Sequence, residues 1–529
     1  MPMRRARRNG VARGFITGRS SERTNSFSCW YCDWKIFSFN EHLYFFGQRY
    51  ARFLHNWMTV GVAFSVISLF SITVILFWEA AAVFHLHSWR FGLKDIPLSL
   101  FWGTAPSVLG LSISIMDFAV VAFSTVVSVT FHELGHAVAA SSEGVPIEYV
   151  AIFLALVFPG ALVAFNNDLL QALSNFASLR IYCAGIWHNA VFCAVCGLAL
   201  HLLPLTLHPL YIHGENAMVL GISPSSPLSA YLSRGDVILS VDGENICSPL
   251  ELKEKLVHRN GHDGKGYCVT NALLEESKSV SVLDGNFSCS DGHAAFSGLP
   301  CVNSSSSFEI SYKEHGGHLK ENKYCLSPEK VVKLGKCGEG WGVTGSLKKL
   351  CSCSENESCM TPLLNPGISW LEISYAKPYS SDCFQQRRNT SLVDPDPVYG
   401  SNPCGVGTFV YVGDKFRFAH SMRLSSYRPR WMHLSWSMDI PATLENILVC
   451  AYRVSAALAA LNSLPVFFLD GEYILYTALH YINWLNPRKR RRAAKVLLIG
   501  GTTLSVIAFS RLIYFTYHSV SYSAGIGLL

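Results

Sequence analysis

Five apolar stretches decide what this chain can fold into: roughly Met58–Phe84, Leu111–Ala140, Leu179–Leu205, Ile447–Leu469 and Val496–Tyr517. As helices, each is long enough to cross a hydrocarbon core about 30 Å thick at about 1.5 Å per residue. Lipid cannot satisfy open backbone amides, so spanning segments must pair their own. Composition agrees, with 50% hydrophobic and only 15% charged residues, against about 25% charged in a soluble domain. A sixth apolar stretch, Val150–Phe165, is broken by Pro159-Gly160 and reads as a re-entrant or hairpin element. The expected fold class is a polytopic α-helical membrane protein of about five to six spans plus that element.

The net charge of +6 is small for 529 residues and gives no reason to expect direct nucleic-acid binding. Basic residues concentrate at two places beside the spans. Residues 1–28 hold Arg4, Arg5, Arg7, Arg8, Arg13, Arg19 and Arg23 against one Glu, and residues 488–495 read RKRRRAAK. By the positive-inside rule both lie in the cytosol. Counting spans from there puts the end of the second span and the end of the fourth at the same cytosolic depth. An Arg/Ser-rich, acid-poor N-terminus also describes an organelle transit peptide, which would place the protein in a chloroplast membrane instead.

Four segments follow: a cytosolic basic tail (1–57), a first membrane part (58–206), a polar insertion (207–440) and a second membrane part (441–529). The insertion is rich in Gly, Ser and Cys. Eleven of the 17 Cys fall there, as do four N-x-S/T sequons at Asn286, Asn303, Asn356 and Asn389. Sequons and cysteines together imply an oxidising lumen, disulfides and glycosylation. Eleven leaves at least one Cys unpaired. Cys29-x2-Cys32 and Cys193-x2-Cys196 are lone pairs, the second read as helix packing. Within the insertion, 217–257 combines a short strand, a small-residue loop, the period-two run Val237, Leu239, Val241, an Asp242-Gly243 hairpin signal and a helix pattern. This resembles half of a PDZ domain, a module that captures chain ends by strand addition. The alternative is any small α/β module with an Asp-Gly hairpin.

The end of the second apolar run carries Phe131-His132-Glu133-Leu134-Gly135-His136. On a helix, the H-E-x-x-H spacing sets two imidazoles on one face, one turn apart, able to share a zinc. The intervening Glu133 is then placed to take a proton from the attacking water. Ionisable groups inside a span cost about 2.5–3.5 kcal/mol each by insertion scales, so such residues are usually functional rather than incidental. The blander reading is a helix end whose polar residues reach for water. A catalytic zinc needs a third protein ligand. Glu143 and Glu148 lie nearby, past the helix end, and Asp470 in Asn462-Ser-Leu-Pro465-Val-Phe-Phe-Leu469-Asp470-Gly471 is the distant candidate. Leu-Asp-Gly alone also reads as an ordinary helix stop.

Taken together, F-H-E-L-G-H in one span, a PDZ-like module between spans and N-x-x-P-x-x-x-L-D-G in a later one resemble the site-2 protease family of intramembrane metalloproteases. The resemblance implies one Zn(2+) per chain on His132, His136 and Asp470, with Glu133 as general base. It extends to Gly185-x3-Asn189, similar to a G-x-x-x-N motif beside the active site, which implies substrate positioning by Gly185 and Asn189. Phe467 departs from many members, where a second Pro is common. His188 beside Asn189 is read as a packing residue. The Cys-rich insertion and sequons resemble the eukaryotic secretory-pathway branch. There the expected location is the Golgi or ER membrane, and the expected substrates are single-span membrane-tethered transcription factors already cut by site-1 protease. A multipass transporter would scatter polar residues over several spans, and an inactive scaffold would lack Glu133 or a ligand.

Overall fold

The structure is a computed structural model of the full chain. It describes residues 27–28, 31–83, 115–155, 158–258, 265–298, 323–338, 353–380, 383 and 405–526, with 280, 284–285, 290–291, 355, 366, 483 and 485 left out. The chain separates into two compact units, residues 1–202 with 445–529, and residues 203–444. Arg4, Arg5, Arg7, Arg8, Arg13, Arg19 and Arg23 of the N-terminal tail, with Cys29, Asn303 and Asn389, lie outside the described residues.

The helices of the first unit are α1 (Asn40–Arg49), α2 (Ala51–Val83), α3 (Ile115–Ser142), α4 (Asn175–Leu207), α5 (Asp439–Asn462), α6 (Asp470–Ala478) and α7 (Pro487–Ile526). Five of these, α2, α3, α4, α5 and α7, contain stretches long and apolar enough to cross a membrane. The chain is thus a multi-pass membrane protein. Two boundaries differ from the sequence reading. The fourth span ends at Asn462 rather than Leu469, because Pro465 disfavours helix in the residue before it. The helix of the fifth span begins at Pro487 rather than Val496, so the basic run 488–495 forms the first turns of α7.

The Val150–Phe165 stretch is a hairpin, as its Pro-Gly pair suggested. Strands β1 (Tyr31–Ile36), β2 (Ile147–Ala155) and β3 (Phe158–Phe165) form an antiparallel sheet with Phe27–Ser28, in the order 27–28, β1, β2, β3. Pro159 is tolerated because β3 is the edge strand, where a missing N–H breaks no ladder. Gly160 opposes Phe153, and a Cβ there would sit 2.4 Å from the phenyl ring.

Polar contacts between apolar helices bring the two distant motif segments together. Ser455 of α5 donates to Ser128 of α3 (2.9 Å), both buried. Small hydroxyls let helices approach closely in lipid. On the other side of α4, Gly61 of α2 leaves room for Trp187. At the end of α3, Arg180 Nε reaches Glu143 Oε1 at 2.7 Å, and Gln48 and His55 bond the carbonyls of Ser141 and Ser142. These groups satisfy the open carbonyls of the helix end.

The second unit holds two large antiparallel sheets and a small two-stranded one, Ser281–Leu283 with Asn286–Ser288. Strands β4 (Tyr211–Ile222), β5 (Val237–Val241), β6 (Glu244–Asn245), β7 (Gly266–Thr270), β8 (Ala294–Gly298), β9 (Lys323–Leu326), β10 (Glu357–Pro362), β11 (Ser369–Ala376), β12 (Gly407–Gly413) and β13 (Met422–Pro429) follow in order. One sheet runs β12–β11–β5–β4–β13, with β6 beside β5; the other contains β7–β10–β8–β9 flanked by Lys336–Cys337 and Lys278–Ser279. The Asp242-Gly243 hairpin forms, with positive φ at both residues (55° and 81°), as a type I′ turn requires. The first sheet is completed by strands far beyond residue 257, and the Cys-rich second sheet is inserted between its halves. Disulfides Cys268–Cys353, Cys289–Cys325 and Cys337–Cys359 hold that insertion, and Cys383 is also disulfide-bonded. Cys247 is a free, exposed thiol, the odd cysteine expected from the count. Cys193 and Cys196 are free thiols on α4.

Candidate active site

The last turns of α3 are helical through the whole motif, so His132 and His136 stack one turn apart. Both are buried, with ring centroids 4.8 Å apart and planes 78° from parallel. Their Nε2 atoms lie 3.2 Å apart. Asp470 Oδ2 sits 3.2 Å from His132 Nε2 and 3.3 Å from His136 Nε2. Three lone-pair donors from two sequence-distant segments thus converge on one point.

Asp470 reaches this point by a route different from a helix stop. It is the first residue of α6, after an irregular 463–469 segment in which Phe468 takes φ 73°. That conformation costs a non-glycine residue about 1–2 kcal/mol. The Glu472 carboxylate holds it by accepting the Phe468 N–H at 2.8 Å. Gly471 is needed for space: a Cβ there would lie 2.0 Å from the Leu464 carbonyl oxygen. The glycine of Leu-Asp-Gly therefore permits a close backbone approach that aims its neighbour.

Around the donors, every orienting contact comes from α4. His136 Nδ1 lies 2.8 Å from the Ile181 carbonyl, so it carries the proton and leaves the Nε2 lone pair facing Asp470. The Asn189 amide lies 3.1 Å from His132 Nδ1. Amide oxygen and nitrogen exchange places by a half-turn. With the oxygen toward the ring, Asn189 accepts the Nδ1 proton and His132 also presents a lone pair at Nε2. Gly185 is bare for a reason: its Cβ would fall 2.4 Å from His136 Nε2 and 2.6 Å from His132 Nε2. Both residues of the G-x-x-x-N motif thus border the imidazoles. His188 packs on Gly135 and bonds the Ala184 carbonyl, away from the donors. Glu133 lies one residue after His132 and one turn before His136, and its Oε2 accepts the Val163 N–H of β3 at 3.0 Å.

The donor set fits a zinc ion. Zinc with tetrahedral ligands at about 2.0–2.1 Å holds neighbouring donor atoms about 3.3 Å apart, against 3.2, 3.2 and 3.3 Å here. Asp470 Oδ2 is buried and meets no properly aligned hydrogen-bond donor among the described residues. Neither nearby alternative competes. Glu143 is engaged by Arg180 and His55, and Glu148 is exposed.

A profile of Peptidase family M50 matches residues 119–507. The chain belongs to that family. The matched range opens on α3 before His132 and closes on α7 beyond Asp470, so it spans every residue of the cluster. A protein of Arabidopsis thaliana described as a membrane-bound transcription factor site-2 protease homolog is 41% identical over 508 residues, 92% of this chain and 93% of that one. This M50 peptidase is therefore an intramembrane zinc metalloendopeptidase, and His132, His136 and Asp470 form a site compatible with the family's metal. The sequence alone did not reveal the Glu133–Val163 bond or the contact between Asn189 and His132. The second had a readable signal, because Gly185 and Asn189 are four apart and share a face of α4.

Proposed function

We propose that the protein cleaves transmembrane helices of membrane-tethered proteins, with His132, His136 and Asp470 as zinc ligands and Glu133 as general base. The observation that carries this reading is the placement of Glu133 between the donor cluster and an edge strand. In β3, Val163 turns its N–H away from β2 and toward Glu133, and alternate residues of an edge strand present the same open backbone. A substrate segment unwound from its own helix can add to β3 by the same pairing, which draws its peptide bonds past Glu133.

When bound, the zinc supplies Lewis acidity toward water and the scissile carbonyl. The chain's own groups do the rest. The Glu133 carboxylate takes a proton from the attacking water and returns it to the leaving amine nitrogen. Burial of the imidazoles in α3 and α4 keeps them fixed, and the Ile181 carbonyl and Asn189 hold their tautomers. Gly185 and Asn189 position the ligands first, and the substrate through them.

Asn189→Ala is expected to weaken zinc binding about 10–100-fold, the usual consequence of losing an outer partner of a ligating histidine. Asn189→Asp keeps an acceptor at Nδ1 and restores most of it. Chelator competition on purified protein measures both, independently of cleavage.

The substrates we propose are single-span transcription factors first shortened by site-1 protease, with the enzyme in the Golgi or ER membrane and its N-terminus in the cytosol. Support comes from the resemblance of the whole chain, from the printed description of the Arabidopsis relative and from the disulfide-bearing insertion. The 217–257 segment is proposed as the PDZ-like part of a lumenal region. Asn356 is exposed in the turn before β10 and Asn286 lies at the start of a short strand. In the lumenal reading both, with Asn303 and Asn389, carry glycans. Endoglycosidase treatment should then collapse a slower-migrating form that disappears when all four are mutated to Gln. A protein that is never glycosylated and loses about its first 50 residues, the cleavage a transit peptide undergoes, would instead be a chloroplast enzyme. Cleavage of a reconstituted single-span reporter, measured with and without prior lumenal shortening, tests the substrate class.

A further inference from the structure

A second polar site lies in the membrane unit, at the foot of the last span. A cavity of about 390 Å³ is lined by Tyr476, His480, Pro487, Arg490, Arg491 and Lys495. Its walls carry three fixed positive charges and no carboxylate. Arg491 and Lys495 form no ion pair among the described residues and are four apart, on one face of α7. Arg490 donates to the Ile482 carbonyl, which ties the start of α7 to the segment after α6. His480 Nδ1 lies 2.8 Å from the Tyr476 carbonyl, so its Nδ1 proton is used there and Nε2 is left for a ligand. The cavity also opens at the N-terminal end of α7, where backbone N–H groups favour an anion.

Two further observations set its depth. On α7 the basic run ends at Lys495 and no further Lys or Arg follows until Arg511; the exposed side chains next to it, Val496, Leu497 and Ile499, are apolar. Beside the cavity, Tyr481 and Trp484 are exposed (51% and 84%). Aromatic side chains of this kind mark the level of lipid headgroups. Gly501 packs on the Pro465 carbonyl of the segment that leads to Asp470, and six residues separate Gly501 from Lys495, about 9 Å along the helix. The cations therefore sit at a membrane surface, one helical step outside the level of the 463–469 segment.

We propose that this cavity binds a phosphate-bearing anion and that the anion is the headgroup of an anionic phospholipid, its acyl chains lying along the apolar surface beyond Lys495. Basic pockets at the end of membrane helices suit such headgroups. A free phosphate shares the charge but lacks chains to occupy the apolar surface beside the site. Tyr476 and His480 follow Asp470 on the same short helical segment, so a bound headgroup also braces the base of α6.

The test uses the full chain purified in an uncharged detergent and titrated with short-chain phosphatidylserine, short-chain phosphatidylcholine and inorganic phosphate, read by Trp fluorescence and calorimetry. Phosphatidylserine should bind saturably and at least about tenfold more tightly than the other two. The variant Arg491→Gln/Lys495→Gln should lose about tenfold or more of that affinity. Lys489→Gln/Arg492→Gln removes the same charge from α7 outside the cavity and should lose little. Zinc content, unchanged in both variants, reports that they are folded. Equal losses in the two variants would reduce the effect to general surface charge and overturn the cavity as a site. Equal affinity for inorganic phosphate and phosphatidylserine would overturn the lipid assignment.

Discussion

Glu133→Gln is expected to lower cleavage of a membrane-embedded substrate by about 10²–10⁴-fold, the range a positioned general base supplies, while zinc content stays at the wild-type level. The two readouts separate because Glu133 is not one of the three clustered donors. The Glu133 carboxylate faces the Val163 N–H of β3, whereas the imidazoles face Asp470. Glutamine keeps the length and an oxygen that can still accept from Val163, so the α3–β3 contact survives. It cannot take the proton. Single-turnover cleavage in proteoliposomes, paired with metal analysis of the same preparation, measures the effect. A variant cleaving at near wild-type rate would remove Glu133 from the reaction.

Asp470→Ala should do something different: it should abolish both zinc retention and cleavage. Without its carboxylate, two imidazoles with Nε2 atoms 3.2 Å apart lose the oxygen that sits 3.2 and 3.3 Å from them. A catalytic zinc site generally needs three protein ligands, so the metal should be lost on dialysis at neutral pH. Asp470→Asn retains the shape but provides a weaker, uncharged oxygen, and should hold zinc poorly. Glu143→Ala is the contrasting variant. It breaks the ion pair with Arg180 at the end of α3 and should cost stability, about 1–3 kcal/mol for leaving a buried polar group without its partner, while zinc remains. If Asp470→Ala kept full zinc and Glu143→Ala lost it, the third ligand would be misassigned.

Much of this arrangement could be read from residue patterns because it is local. The H-E-x-x-H spacing fixes which side chains share a helix face, and long apolar runs fix the spans. Pro159-Gly160 signals that Val150–Phe165 is no plain span; the pair lies inside the edge strand β3, and the chain reverses just before it, between Ala155 and Phe158. What escaped reading depends on contacts between distant segments. Leu-Asp-Gly reads locally as a helix stop, yet Asp470 starts a helix, because Leu464 approaches Gly471 closely and Glu472 caps Phe468. The fifth apolar run begins at Val496, yet its helix begins at Pro487 and takes in the RKRRRAAK run, which hydropathy does not count. Asp470 could be tied to the histidines only through family resemblance. The physical link is the packing of α5 on α3 through Ser455 and Ser128, 327 residues apart. The disulfide partners, 85, 36 and 22 residues apart, are likewise set by strand register. Cys359 directly faces Cys268 on neighbouring strands, yet each bonds elsewhere.

The sulfurs of Cys268, Cys337 and Cys353 also cluster in the insertion, where disulfides engage all three, and only their reduction would free thiolates for a metal. The measurement that tests the central claim most directly is therefore zinc K-edge absorption on the purified full-length protein, with the metal quantified per chain. The account predicts one zinc per chain bound by nitrogen and oxygen donors at about 2.0–2.2 Å, with two imidazoles in the shell and the signal lost in Asp470→Ala. Zinc bound by sulfur at about 2.3 Å, or a nitrogen and oxygen shell unchanged in Asp470→Ala, would contradict it.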